Sequence, residues 1–223
     1  MCIRDRLDPD YAGLLYAVFQ FITLRTPTVK GLIKGKKLER FVCSLTGGKT
    51  IRDLTMKTVI PAVDILTGDT IVYTNTPSLA KALPQVQWQD NALLCDIIRA
   101  SASVPGVFHP KEMGGYRLVD GGITDNLPVN LLLAAGEKRV LGVDVSEEYT
   151  MPETGNLMET VSHSFTIMST RLKELVSTGE QLLLHPTLPK EAGLLTFDHM
   201  EACMEAGYDC AKKEMPSIRY VFG

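Results

Sequence analysis

Arg99-Ala-Ser-Ala-Ser-Val-Pro-Gly-Val-Phe108, followed by Leu118-Val-Asp-Gly-Gly122 and Asn126-Leu-Pro128, is the stretch on which the reading of this chain turns. A short apolar strand is predicted over Tyr116 to Val119, so Asp120 stands at its end. Gly121 and Gly122 follow, and without a Cβ they let the backbone bend sharply behind the carboxylate. A fold holds an acid rigidly against a pocket in this way. By itself, Asp-Gly-Gly is also what an ordinary turn looks like, because Gly accepts positive φ and Asp bonds back to the turn backbone. Its neighbours decide between the two.

Upstream, Asp90 to Arg99 is predicted as a helix with Leu93, Leu94, Ile97 and Ile98 on its apolar face. Lys57 to Leu66 and Thr70 to Thr74 read as two strands joined by a hairpin loop at Thr67-Gly-Asp69. Pro61 places the first strand at a sheet edge or a bulge. Thr50 to Leu54 reads as a short capped turn. Asp8-Pro9 is the expected cap of a helix that is apolar nearly all round, at Leu14, Leu15, Val18, Phe19, Phe21, Ile22 and Leu24. Such a helix is expected to be buried; the sharper alternative is a membrane-facing flap.

Downstream, Pro128 to Ala135 is predicted as a helix closed by Gly136. Arg139 to Val145 is a continuous apolar strand of the kind buried on both faces of a parallel sheet. Two helical blocks follow, Leu157 to Leu184 and Asp198 to Met215, with Asp198 and Glu201 forming a capping-box variant. Strands interleaved with helices indicate an α/β architecture. No repeat, low-complexity tract or linker interrupts it, so a single domain is expected.

The chain has 223 residues, 45% hydrophobic and 22% charged, which is an ordinary globular composition. Its formal charge of −3 gives no support for a nucleic-acid partner. The densest basic run, Lys34, Lys36, Lys37 and Arg40, reads as a solvated face, or more sharply as a contact for anionic lipid headgroups. The five cysteines (Cys2, Cys43, Cys95, Cys203, Cys210) include no C-x-x-C pair. Neither a zinc site nor a disulfide framework is indicated, and free thiols in a reducing compartment are expected. The start carries no charged-then-apolar signal pattern, and Leu14 to Leu24 is roughly half the length that crosses a bilayer. The expected location is cytoplasmic. Residues 1–7 match nothing after them and are expected to be a non-native start, with the domain running over 8–223.

Several other patterns carry little. Thr46-Gly-Gly-Lys-Thr50 lacks a phosphate loop's first glycine, whose place is taken by Cys43, and the preceding segment reads as helix rather than strand. His109, His163, His185 and His199 share no ligand spacing, and His109, the one near the Asp120 loop, reads as a surface-loop residue or, more sharply, as a pocket residue. No serine has glycine at both flanking positions of a G-x-S-x-G elbow, and Ser101 and Ser103 lack that frame.

Ala-Ser-x-x-x-Pro-Gly-x-Phe, then Val-Asp-Gly-Gly, then Asn-x-Pro-Val, resembles the patatin-like phospholipases in their bacterial form. Ile60-Pro-Ala-Val-Asp-Ile-Leu-Thr-Gly68 is similar to the hairpin before the motif, and Val140-Leu-Gly-Val-Asp144 to the strand after it. His185-Pro, Phe197 and Glu205-Ala-Gly-Tyr208 look like the family's closing helix. The likeness runs from about Asp8 to the C-terminus.

The resemblance implies a patatin-like three-layer fold with a mainly parallel central sheet, its first strand and nucleophile elbow missing from this chain. It implies a lipid acyl hydrolase working through a Ser–Asp dyad, with Asp120 as the catalytic carboxylate on its Gly121-Gly122 turn. The serine and the glycine-rich oxyanion loop would lie N-terminal to everything present, so the chain alone is expected to be inactive. Asn126 and Pro128 would fix the exit from the turn into the next helix. A lost sheet strand would leave unpaired edges, so such a fragment is expected to aggregate or be partly molten. A lipid or acyl-ester substrate is implied, with peripheral contact at the inner membrane surface; no cofactor or metal is. The alternative is a non-catalytic patatin scaffold serving as a regulatory or adaptor module.

Overall fold

β-branched residues dominate Val59–Asp64 (β1) and Thr70–Thr74 (β2), and the two pair antiparallel as the sequence predicts. Gly68 closes the hairpin at φ 81°, its N–H donating to the Asp64 carbonyl at 2.8 Å. The Thr67 hydroxyl donates to Asp64 Oδ2 at 3.0 Å. The computed structural model describes residues 9–22, 31–146, 157–176, 179–189, 192 and 198–223. It resolves into two compact units, Met1–Thr124 and Asp125–Gly223. The expected non-native start at 1–7, the cap residue Asp8 and Phe197 lie outside the described residues.

In the first unit, Val86–Gln89 (β3), Lys111–Met113 (β4) and Tyr116–Asp120 (β5) complete a five-stranded sheet in the order β3-β2-β1-β5-β4. The α/β class holds. The sheet is mixed rather than mainly parallel, since β2–β3 is its one parallel pairing among the described residues. Tight turns dictate much of this, because a strand re-entering after a few residues can only run back antiparallel. The β4–β5 turn is of that kind, with Gly114 and Gly115 at φ 60° and 86° as a primed hairpin requires.

β1 is the central strand rather than an edge strand, although at Pro61 itself only β2 flanks it. The proline is accommodated because β5 joins β1 only from Ala62 onward, opposite Asp120. Leu94–Ser101 (α3) lays Leu94, Ile97 and Ala100 against Ile71, Tyr73 and Leu118. Each fully buried Ile or Leu there contributes about 1.5–3 kcal/mol. The helix begins later than expected: Asp90 stays outside it and pairs with Arg52 at 2.8 Å. Thr50 caps the 3-10 turn Ile51–Asp53, its N–H and hydroxyl donating to Asp53 Oδ2 at 2.7 and 2.8 Å.

Lys36–Thr46 (α2) is bracketed by two left-handed glycines, Gly35 and Gly47, and packs on α3. Thr46-Gly-Gly-Lys is therefore a helix end, not a phosphate cradle. Lys111 Nζ bridges Glu39 of α2 at 2.9 Å and Asp96 of α3 at 2.7 Å. Cys43 and Cys95 form a disulfide between the same helices. This overturns the expectation of free thiols for that pair, whose approach comes from helix packing that spacing cannot reveal; Cys203 and Cys210 are free. Tyr11–Ile22 (α1) is capped by Asp10, whose Oδ1 accepts from Gly13 N–H at 3.0 Å. Tyr11, Leu15 and Tyr16 are 70%, 72% and 54% exposed, so the described part of this helix is not the buried one expected. An apolar circumference does not say which faces find a partner.

In the second unit, Val129–Ala134 (α4) ends at Gly136, φ 95°, as predicted. Leu141–Val143 (β6), Leu157–Val176 (α5) and Leu182–Leu184 (β7) form a β-α-β unit whose strands pair in parallel. The expected helix over 157–184 thus ends in a strand. β6 is buried on one face only, with Gly142 inward and Leu141 and Val143 exposed. Met200–Lys213 (α6) and Met215–Phe222 (α7) close the chain; His199, not Asp198, occupies the cap position of α6. No helix among the described residues is long and apolar enough to cross a membrane.

Candidate active site

Asp120 ends β5 and caps the 3-10 turn Gly121–Ile123. Its Oδ1 accepts the Gly122 N–H at 2.8 Å, and Oδ2 has no hydrogen-bond partner among the described residues. The side chain is half-buried. Burial pushes its carboxyl above the ordinary carboxylate range, and the Gly122 N–H pulls it partly back. An acid so held can take a proton through the free oxygen.

The turn is tight because Gly121 lies against β1. A Cβ at Gly121 would stand 2.6 Å from the Pro61 carbonyl oxygen and 2.9 Å from Pro61 Cγ. The demand there is for space rather than for a left-handed backbone. Thr124 fastens the far side, its Oγ1 lying 2.9 Å from that of Thr70.

The two halves of the sequence motif meet at a single hydrogen bond. Asp120 N–H donates to the Ser103 carbonyl at 3.0 Å, so the Ala-Ser-x-x-x-Pro loop carries the backbone of the acid. Ser103 is fully buried, and its hydroxyl donates to the Arg99 carbonyl at 2.8 Å, which rules it out as a nucleophile. Arg99 is also buried, at 2% exposure, an uncommon place for a guanidinium and one no apolar periodicity could have flagged. His109 Nε2 lies 3.2 Å from Asp10 Oδ2, and Lys34 Nζ 3.1 Å from Asp10 Oδ1, in a half-buried group rather than on an open loop. The Gly13 N–H and the Lys34 ammonium hold Asp10 below the usual carboxylate range.

The environments of two carboxylates of the second unit were not foreseen from the sequence. Asp125, 7% exposed, has a buried Oδ2 without a hydrogen-bond partner; burial pushes it up to about 6 despite the Leu127 N–H. Asp144, past the end of β6, accepts from Lys173 Nζ, the Ser146 N–H and the Ser146 hydroxyl, with His185 Nδ1 at 3.4 Å. Burial pushes it up, but Lys173 and Ser146 outweigh that and hold it at about 2. It is an anchored ion pair, unfit to accept protons near neutrality. Asn126 is exposed, and Pro128 immediately precedes α4. No group of three or more His, Cys, Asp or Glu suited to a metal ion occurs among the described residues.

The family model described as patatin-like phospholipase matches residues 5–133. An uncharacterized NTE family protein of Mycobacterium bovis is 26% identical over 214 residues, covering 84% of this chain and 33% of that relative. The lysophospholipase NTE1 of Saccharomyces cerevisiae is 26% identical over 184 residues, covering 82% of this chain and 9% of that relative. A lysophospholipase of Candida albicans is 48% identical over 48 residues, covering 22% of this chain. The chain thus spans a third or less of the length of these relatives.

Proposed function

This chain belongs to the patatin-like phospholipase family, and we propose that the protein carrying it is a lipid acyl hydrolase working through a Ser–Asp dyad. Asp120 is the carboxylate of that dyad, on the Gly121-Gly122 turn. The serine belongs to a G-x-S-x-G elbow that precedes residues 8–223, which form the C-terminal portion of the catalytic domain. A serine hydroxyl is a poor nucleophile until a base within about 2.6–3.2 Å can take its proton. The observation that carries the reading is the carboxylate itself, fixed by one oxygen to its own turn with the other left to accept. The serine would attack the ester carbonyl, the alcohol would leave with the proton held by Asp120, and water would cleave the acyl-enzyme.

On this reading the 223-residue chain has no turnover of its own. The exposed Tyr11, Leu15 and Tyr16 of α1 favour peripheral contact with a lipid surface. The test is hydrolysis of lysophospholipid and short-chain p-nitrophenyl esters by the whole protein and by this chain. Turnover by the whole protein alone is expected. Comparable turnover by the chain alone would refute the assignment.

A further inference from the structure

Arg99 connects segments that are distant in sequence. Its Nη2 donates to the carbonyls of Lys34 at 3.1 Å and His109 at 3.0 Å, and its Nε to the Gly35 carbonyl at 3.3 Å. Its Nη1 donates to the Ser103 hydroxyl, and its guanidinium lies 5.0 Å from the centre of the Phe108 ring. The strands of chain it grips also bond each other, Ile33 N–H to Val107 at 2.8 Å and His109 N–H to Ile33 at 2.9 Å. Gly35 leaves the room needed: a Cβ there would fall 2.2 Å from Arg99 Nη2.

The end of this network is the acid. Ser103, held by Arg99 through its hydroxyl and by Ala100 through its N–H, presents the carbonyl that receives Asp120 N–H. Beyond Asp120 the chain leaves the sheet for its 3-10 turn, so Ser103 anchors the main chain at the carboxylate itself, on the residue that also stands opposite Ala62 of β1. We propose that Arg99 is a positioning residue for Asp120, acting through Ser103 to set where the carboxylate stands. This rests on the reading of Asp120 as proton acceptor. A planar fork with several fixed donors suits the task, whereas a lysine offers one compact ammonium and cannot span the same carbonyls.

The experiment compares wild type, Arg99→Lys, Ser103→Ala and Asp120→Asn in the whole protein. The reactive serine is titrated with a fluorophosphonate, so that rates refer to folded sites. For Arg99→Lys and Ser103→Ala, kcat per titrated site is expected to fall by on the order of tenfold to a hundredfold, as a displaced reacting group costs. KM should stay near wild type, and the acid limb of the pH profile should move. A merely structural arginine would lower the number of titratable sites and leave per-site kcat and the pH profile unchanged; that result overturns the proposal. If Asp120→Asn retains the wild-type rate, the dyad reading fails instead, whatever the other variants do.

Discussion

At residue scale, what separates the carboxylates of this chain is what surrounds them. Asp144 is held down by a lysine and a serine, while Asp120 and Asp125 are pushed up by burial. For Asp125 the consequence has a definite sign. The folded state keeps its proton to about pH 6, whereas the unfolded carboxyl releases it near 3.8. Its contribution to stability is therefore full below the lower value, declines between the two, and is flat above. Asp125→Asn removes that slope. Urea midpoints at pH 4 and pH 7 are expected to show wild type losing stability relative to the variant across the interval. Parallel behaviour of the two proteins would contradict the account. The placement of Asp120 at a strand end ahead of a tight turn was legible in the sequence because an acid, two glycines and a preceding apolar pair occupy consecutive positions. Arg99, Asp125 and Asp144 were not, since burial of a charge depends on packing from other segments.

At the scale of elements, the local signals read well. The Thr67-Gly-Asp69 hairpin, the Thr50 cap and the Gly136 stop formed where residue chemistry placed them, whereas Leu93, expected on the α3 face, stands before the helix and is 41% exposed. Failures arose where pairing was non-local. Val86–Gln89 has glutamines at alternate positions and became a strand because β2 offered an edge; the three-residue β4 formed by pairing with β5. The Cys43–Cys95 link likewise depends on α2 lying across α3. It closes a span of 52 residues, for which chain entropy gives up to about 4 kcal/mol of stabilisation. Peptide mapping of the non-reduced, alkylated protein should recover a peptide joining Cys43 to Cys95, and reduction should lower the denaturant midpoint. Alkylation of both cysteines without prior reduction would contradict the pairing.

At the scale of the whole molecule, no serine of the sequence stands in a G-x-S-x-G frame, and the proposed dyad takes its serine from outside this sequence. The central claim is that Asp120 takes the proton from that serine. The most direct measurement is the rate at which a fluorophosphonate labels the whole protein, wild type against Asp120→Asn, across pH. Labelling of wild type should decline as acid protonates a carboxylate whose pKa lies above the ordinary range. The variant should label on the order of 10²–10⁴ times more slowly. Equal labelling rates at every pH would show that residue 120 does not activate the nucleophile.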